Sequence, residues 1–168
     1  MTPEVGNNAP LPVTRLERAL QWFSRATLVA WLGYGFLVWD HIPARVPTHF
    51  GFTGAPDAWG DRSVLLTLPA IGLAAFIGIS LLERIPHRLN YSGVTITPSN
   101  RAAVYRWGRL VLLSTKSGLL IMFGYIFFAS TQVALGDARD IGVWFVPAVL
   151  LVTIGGLVGA LVQLLRLR

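Results

Sequence analysis

Four long apolar runs limit what this chain can fold into more than any other feature of the sequence. They lie at about residues 20–39, 64–82, 110–130 and 141–165, and each is close to the roughly 20 residues of helix that cross a bilayer. The chain is 54% hydrophobic and 13% charged, whereas soluble domains carry about 25% charged residues. We therefore predict an all-α polytopic membrane protein with four transmembrane helices.

A polar, proline-containing segment without hydrophobic periodicity precedes the first run. We predict that residues 1–13 form a disordered cytoplasmic tail and that residues 14–168 form a single four-helix transmembrane domain. A secretory signal peptide is the alternative interpretation of the first run. We reject it because the run is too long and no small-residue cleavage site follows it.

The positive charges are distributed unevenly about the four runs. Of the fourteen Lys and Arg residues, only Arg45, Arg62 and Arg139 fall in the first and third connections, and Lys116 lies within a run. Short loops rich in Lys and Arg stay in the cytoplasm. We therefore predict a multi-pass membrane protein with both termini cytoplasmic. Nucleic-acid binding is not expected, because the Arg residues stand at the ends of apolar runs and not among aromatic residues.

The first connection, residues 40–63, is the longest polar interval between two apolar runs. Its prolines and glycines exclude a continuous helix, so we predict a structured extracytoplasmic loop. The loop gathers most of the chemically versatile side chains of the protein, namely Asp40, His41, His49, Asp57, Trp59 and Asp61.

A pattern of prolines, glycines and polar residues in this loop resembles a known family. The pattern consists of Ile42-Pro43, Pro47, His49-Phe50, Gly54, Pro56-Asp57, Trp59-Gly60, Arg62 and Pro69. It is similar to the bacterial family 1648 of domains of unknown function. A second block is similar to many members of the family and consists of Asn90-Tyr91, Ile96-Thr97, Asn100, Tyr105, Arg106, Arg109 and Lys116.

The resemblance implies a membrane protein without an assigned reaction. Family members include the immunity protein that protects a sporulating bacterium from its own secreted killing factor and signals by sequestering a repressor at the membrane. That protein is longer, and its additional C-terminal spans have no counterpart here. Asp61 stands where the family usually has a small residue.

Three interpretations of the loop motif remain open. The motif comprises Pro43, Pro47, His49, Phe50, Gly54, Asp57, Trp59 and Gly60. His49 and Asp57 can hydrogen-bond the loop backbone, which would make the motif structural. They can also contact a peptide or small ligand, or, with Asp61, supply imidazole and carboxylate ligands to a metal ion. The spacing fits no established metal motif, and no cofactor is predicted.

A second candidate surface lies at the cytoplasmic end of the third run. Thr97 and Pro98 predict the start of a helix there, which would place Tyr105, Arg109 and Lys116 on one face, with Arg106 beside them. Lys116 would either snorkel to the interface or contact a polar group or a lipid phosphate. No acidic residue lies in the middle of a run, so a proton relay or charge-paired transport path has no obvious partner for Lys116.

The remaining features are the aromatic residues, the small residues and the missing motifs. Trp39, Trp59 and Trp107 are expected to be interface anchors. Gly155 and Gly159 form a G-x-x-x-G pattern, which packs helices within the bundle or between two copies of the chain. The sequence lacks nucleophile-elbow, zincin and phosphate-loop motifs.

We predict a non-enzymatic protein of recognition, immunity or signalling. Its extracytoplasmic loop would bind a peptide or small ligand, and its cytoplasmic face would bind a protein partner. A metal-assisted membrane enzyme and a small transporter are the alternatives.

Overall fold

The computed structural model describes residues 11–91 and 93–166, so most of the predicted disordered tail lies outside the described residues. The chain forms four long helices, α1 (Arg15–Val38), α2 (Thr67–Leu82), α3 (Arg101–Leu135) and α4 (Phe145–Arg166). Strands β1 (Arg45–Phe50) and β2 (Pro56–Asp61) lie between α1 and α2. Short 3-10 turns cover Trp39–His41, Arg62–Leu66 and Pro86–Arg88.

The prediction of an all-α fold is wrong for the first loop, which is an antiparallel hairpin. β1 pairs with β2, so that Arg45 lies opposite Asp61 and His49 opposite Ala58. The ladder is irregular around Thr48, beside Pro47. In a two-stranded sheet both strands are edges, so proline can occupy positions that need no ladder hydrogen bond. The prolines that exclude a helix therefore still permit this short hairpin.

Two segments are long and apolar enough to cross a membrane, Arg62–Leu82 and Arg101–Leu135. The apolar part of α4, Phe145–Gly156, is shorter. The exterior of the described helices is apolar: Phe36 is 83% exposed, Leu37 74% and Leu151 75%. Soluble monomers rarely expose so much contiguous apolar surface, so this exterior suits contact with lipid.

Helix α1 is fixed at its start by a capping box. The Glu17 amide donates to the Thr14 hydroxyl, and the Thr14 amide donates to a Glu17 carboxylate oxygen. The buried residues of α1 are Glu17, Ser24, Leu28 and Trp31. Their spacing of three, four or seven residues places them on one helical face, and that face contacts α3.

Helix α3 lies at the centre of the molecule and contacts α1, α2 and β1. Its 35 residues extend about 52 Å, well beyond the roughly 30 Å of hydrocarbon in a bilayer. The predicted start at Thr97 is wrong by one turn, because the regular helix begins at Arg101. The Thr97 hydroxyl instead accepts a hydrogen bond from the Asn100 amide, within the turn that precedes the helix.

The hydrophobic core fills the end of the bundle that carries the hairpin. Its members are Leu28, Trp31, Ile42, Val46, Leu65, Leu120 and Phe127. The Trp31 ring packs edge-on against Phe127 and lies directly over Gly72 of α2, where an added Cβ would come within 2.5 Å of the ring. Glycine at 72 therefore leaves room for the Trp31 ring to pack directly against α2.

Helix α4 makes few contacts with the other described elements. The Phe145 ring stacks on Tyr125 of α3 at a centroid distance of 5.3 Å. At Gly155 and Gly159, an added Cβ would meet no described atom within 4 Å. The expectation that this G-x-x-x-G pattern packs within the bundle is therefore wrong for the described residues.

Candidate functional site

The root of the hairpin is built into the core. Val46 is fully buried and Ile42 is 2% exposed. Arg62 ties the two ends of the hairpin together, since its guanidinium donates to the Ile42 carbonyl and its amide to the Ala44 carbonyl. The same guanidinium stacks over the Trp39 ring at 5.3 Å. Arg62 and Trp39 therefore stabilise the hairpin position.

The turn of the hairpin is docked onto the connection between α3 and α4. Gly54 has a φ of 85°, a conformation that glycine adopts without strain. Its carbonyl accepts a hydrogen bond from the Ile141 amide at 2.8 Å, and an added Cβ would lie 3.2 Å from the Gly142 carbonyl oxygen. The hairpin is thus held at both ends, which accounts structurally for Gly54 in the motif.

His49 and Asp57 form an exposed pair on the hairpin. His49 Nδ1 lies 2.6 Å from Asp57 Oδ1, and the two side chains are 70% and 53% exposed. The pair joins the two strands directly and does not bond the loop backbone. The aromatic side chains of Phe52 and Trp59 are also exposed, at 87% and 44%, so the hairpin presents both polar and aromatic groups outward.

Asp61 lies at the opposite end of the hairpin from His49. Its carboxylate accepts a hydrogen bond from the Ser63 amide and thereby caps the turn that leads into α2. Hydrogen bonds from the Ser63 side chain and amide, aided by the neighbouring Arg62 charge, lower the pKa of Asp61. Within residues 11–91 and 93–166, no three His, Asp or Glu side chains are grouped as a metal site would require.

A second polar site occupies the other end of the bundle, between α1, α2 and α3. It is a cavity of about 630 Å³ that the segment before α1 also lines. The charged lining residues are Glu17, Arg25, Glu83, Arg84, Arg109 and Lys116. Tyr105 also lines the cavity, whereas Arg106 is exposed outside it. Tyr105, Arg109 and Lys116, which are predicted to share one face of the helix, thus all line the cavity.

The first ion pair of the cavity joins α1 to α3. Arg109 Nε lies 3.0 Å from Glu17 Oε1, and the side chains are 11% and 1% exposed. The other nitrogens of Arg109 donate to the carbonyls of Leu11 and Pro12 at 3.2 and 3.4 Å. One guanidinium therefore secures both the first turn of α1 and the segment before it.

The second ion pair joins α2 to α3. Lys116 Nζ lies 2.7 Å from Glu83 Oε1, and the side chains are 3% and 8% exposed. The ammonium also donates to the Ser80 hydroxyl at 3.1 Å and lies 5.1 Å from the centre of the Phe76 ring. The expectation that Lys116 has no acidic partner is therefore wrong, because Glu83 immediately follows the last residue of α2.

The carboxylates of both ion pairs retain hydrogen-bonding capacity. Glu17 Oε1, Glu83 Oε1 and Arg109 Nε are buried, and no described group makes an aligned hydrogen bond to them. The short distances nevertheless show close ionic contact within both pairs.

Tyr91 closes one side of the region near Tyr105. The two rings lie 5.7 Å apart, and the Tyr91 hydroxyl donates to the Pro86 carbonyl at 2.9 Å. Burial, together with the neighbouring Tyr105, raises the pKa of Tyr91 to about 12. An added Cβ at Gly108 would lie 2.5 Å from the Tyr91 oxygen, so this glycine lets the loop before α3 pack on the helix.

The comparison with protein families matches the segment that contains the hairpin. A family model described as "Domain of unknown function (DUF1648)" covers residues 26–73. Residues 26–73 are thus similar to this family and are called the DUF1648 segment below. The resemblance predicted from the loop motif is therefore confirmed over the second half of α1, the hairpin and the beginning of α2. The relation to the killing-factor immunity protein remains an expectation.

A curated relative of the chain is an uncharacterized protein of the archaeon Archaeoglobus fulgidus. It is 44% identical over 69 residues, which are 39% of this chain and 36% of the relative. The match thus spans about a third of the relative's length. No solved structure matches the chain.

The DUF1648 segment and the charged cavity are separate parts of the molecule. His49, Asp57 and Trp59 lie inside the segment, whereas both ion pairs lie outside it. Sequence reasoning found Arg109 and Lys116 but missed Glu17 and Glu83. A usable signal was present, because Phe76, Ser80 and Glu83 follow one another at helical spacing and thus share one face of an otherwise apolar helix.

Proposed function

We propose that the chain is a multi-pass protein of the cytoplasmic membrane whose extracytoplasmic hairpin recognises a peptide or small ligand without catalysing a reaction. Four membrane-crossing helices and cytoplasmic termini are part of this proposal. The two segments that are long and apolar enough to cross a bilayer, the apolar exterior and the distribution of Lys and Arg support it.

The observation that carries the proposal is the rigid attachment of an exposed polar pair. The hairpin is anchored at its root by Val46 and at its turn by the hydrogen bond to Gly54, while His49 and Asp57 face outward. A surface that is already ordered loses little conformational entropy on binding. The exposed rings of Phe52 and Trp59 add aromatic area of the kind that dominates binding energies at interfaces.

Recognition also fits the exposed pair better than a role in stability. An exposed ion pair contributes about 0–1 kcal/mol to folding, so His49 and Asp57 are not needed to hold a hairpin whose root is buried. Immunity and signalling are biological uses of such recognition, with the basic inner end available to a cytoplasmic protein partner. The alternative of a metal-assisted enzyme is not supported by a third ligand beside His49 and Asp57, because the Asp61 carboxylate caps the 3-10 turn Arg62–Leu66 at the opposite end of the hairpin.

The buried ion pair supports the transporter alternative, but the described residues line no continuous passage through the bundle. The residues that line the charged cavity come from the segment before α1, the first half of α1, the end of α2 with the turn that follows it, and the first half of α3. The opposite half of the bundle contains the packed core of Trp31, Leu120 and Phe127. This arrangement favours a pocket that opens at one end over a passage through the molecule.

The proposal is tested by selecting ligands against the purified protein in lipid nanodiscs. Displayed peptides that bind wild type should bind the double variant His49→Asn, Asp57→Asn about tenfold more weakly, because a charge-assisted contact is lost. The matched control is Asp40→Asn, His41→Gln, an exposed pair on the same side of the molecule. Peptides that bind all three proteins equally would refute recognition through the hairpin pair.

A further inference from the structure

With Arg62–Leu82 across the membrane, as proposed above, the charged cavity lies at the level of the bilayer surface. The segment Arg62–Leu82 has 21 residues and spans about 30 Å, which is the thickness of the hydrocarbon layer. Glu83 directly follows this segment, and its ion pair with Lys116 places the lysine at the same depth. The cavity therefore opens where the hydrocarbon ends and the phosphate groups of the lipids begin.

The cavity carries more positive than negative charge. Arg25, Arg84, Arg109 and Lys116 line it against two carboxylates, Glu17 and Glu83. Each carboxylate is already paired, with Arg109 and Lys116 respectively. Among the described residues, Arg25 and Arg84 form no ion pair, and both are exposed at the rim. A pocket with this excess of positive charge attracts an anion.

The size and chemistry of the lining fit a phosphate group. A volume of about 630 Å³ is typical of small-molecule sites. Guanidinium groups bind phosphate through two parallel hydrogen bonds, and two unpaired guanidiniums stand at the entrance. Beneath them, Arg109 is already held by Glu17 and by the carbonyls of Leu11 and Pro12, so Arg25 and Arg84 are the groups that remain for the anion.

We propose that this cavity binds a phosphate monoester, with Arg25 and Arg84 as the residues that contact the phosphate. The phosphate would belong either to a lipid headgroup or to a soluble phosphorylated compound, and the chemistry of recognition is the same. This site is distinct from the hairpin and does not depend on its function.

The experiment uses the full chain purified in a maltoside detergent, which contains no phosphate. Thermal unfolding is measured with inorganic phosphate against chloride at equal ionic strength, and with phosphatidic acid against diacylglycerol. Ligands that bind only the folded protein raise the melting temperature. The cavity variant is Arg25→Gln, Arg84→Gln, and the control is Arg18→Gln, Arg88→Gln, which removes the same charge from exposed positions outside the cavity.

The expected result is stabilisation of wild type and the control by a phosphate-bearing ligand, with about tenfold weaker apparent binding to the cavity variant. Stabilisation by phosphatidic acid alone identifies a lipid, whereas stabilisation by inorganic phosphate identifies a soluble source. No stabilisation of wild type by either ligand would overturn the proposal. Equal weakening in the cavity and control variants would also overturn it, since that result indicates general charge attraction.

Discussion

The two ion pairs of the charged cavity show how single charged residues position one helix of the bundle against another. Glu83 and Lys116 are both nearly buried, and the ammonium is further held by Ser80 and Phe76. Removing one charge from such a pair leaves the other without compensation, whereas replacing both by apolar groups is often tolerated. The pair therefore contributes more to the position of α2 against α3 than to net stability.

Lys116→Met alone should destabilise the protein by about 3–5 kcal/mol, because Glu83 is then left charged and buried. The double variant Lys116→Met, Glu83→Leu should recover most of this loss. Unfolding of the purified single and double variants measures the coupling. Ser80→Ala, which removes only the second acceptor of Lys116, should cost about 1 kcal/mol. Additive losses in the double variant would show that the two residues do not act as a pair.

At the scale of the elements, the contact between α1 and α2 depends on one small residue. Gly72 lies beneath the Trp31 ring, and that ring is buried against Phe127. A Cβ added at this position would lie 2.5 Å from the ring, so a methyl group there must displace the Trp31 side chain. Gly78 lies on the same helix, but an added Cβ there would meet no described atom within 4 Å.

Gly72→Ala and Gly78→Ala should therefore change the stability of the protein in opposite directions. Alanine at 72 should destabilise the protein by about 1–3 kcal/mol through overpacking. Alanine at 78 should leave stability unchanged or raise it by up to about 1 kcal/mol, since alanine favours the helix. Paired melting curves of the two variants provide the measurement. Equal effects at both positions would contradict the close contact between the Trp31 ring and Gly72 of α2.

The positions of the long helices could be predicted from the sequence, but the hairpin and the cavity could not. Apolar runs report where a helix can contact lipid, and the run at 64–82 became α2 with a shift of three residues at its start. Pro47 and Gly54 exclude a helix without specifying strand pairing. Glu17 and Glu83 stand at the ends of runs, where charges are usually solvated, and only tertiary contacts bring them to Arg109 and Lys116.

The whole molecule has two unlike ends. At one end the hairpin covers an apolar core, and at the other a cavity with a net positive lining opens at the surface. Because cationic segments remain in the cytoplasm, this asymmetry indicates the orientation of the entire chain. The hairpin should face outward and the cavity inward.

The orientation can be tested by cysteine labelling, since the natural chain contains no cysteine. Ala58→Cys on the hairpin should react with a membrane-impermeant maleimide in intact cells. Ala102→Cys at the start of α3 should react only after permeabilisation, although both positions are exposed. Wild type supplies the unlabelled control. The reverse labelling pattern would place the hairpin in the cytoplasm and refute the proposed topology.

The contact between Glu17 and Arg109 also has a consequence for how the protein is made. The carboxylate belongs to α1, whereas its partner belongs to α3, which is made later. During synthesis, α1, the hairpin and α2 all emerge before Arg109 can neutralise this charge or hold the carbonyls of Leu11 and Pro12. The start of α1 can therefore gain its native contacts only after the first part of α3 has been made.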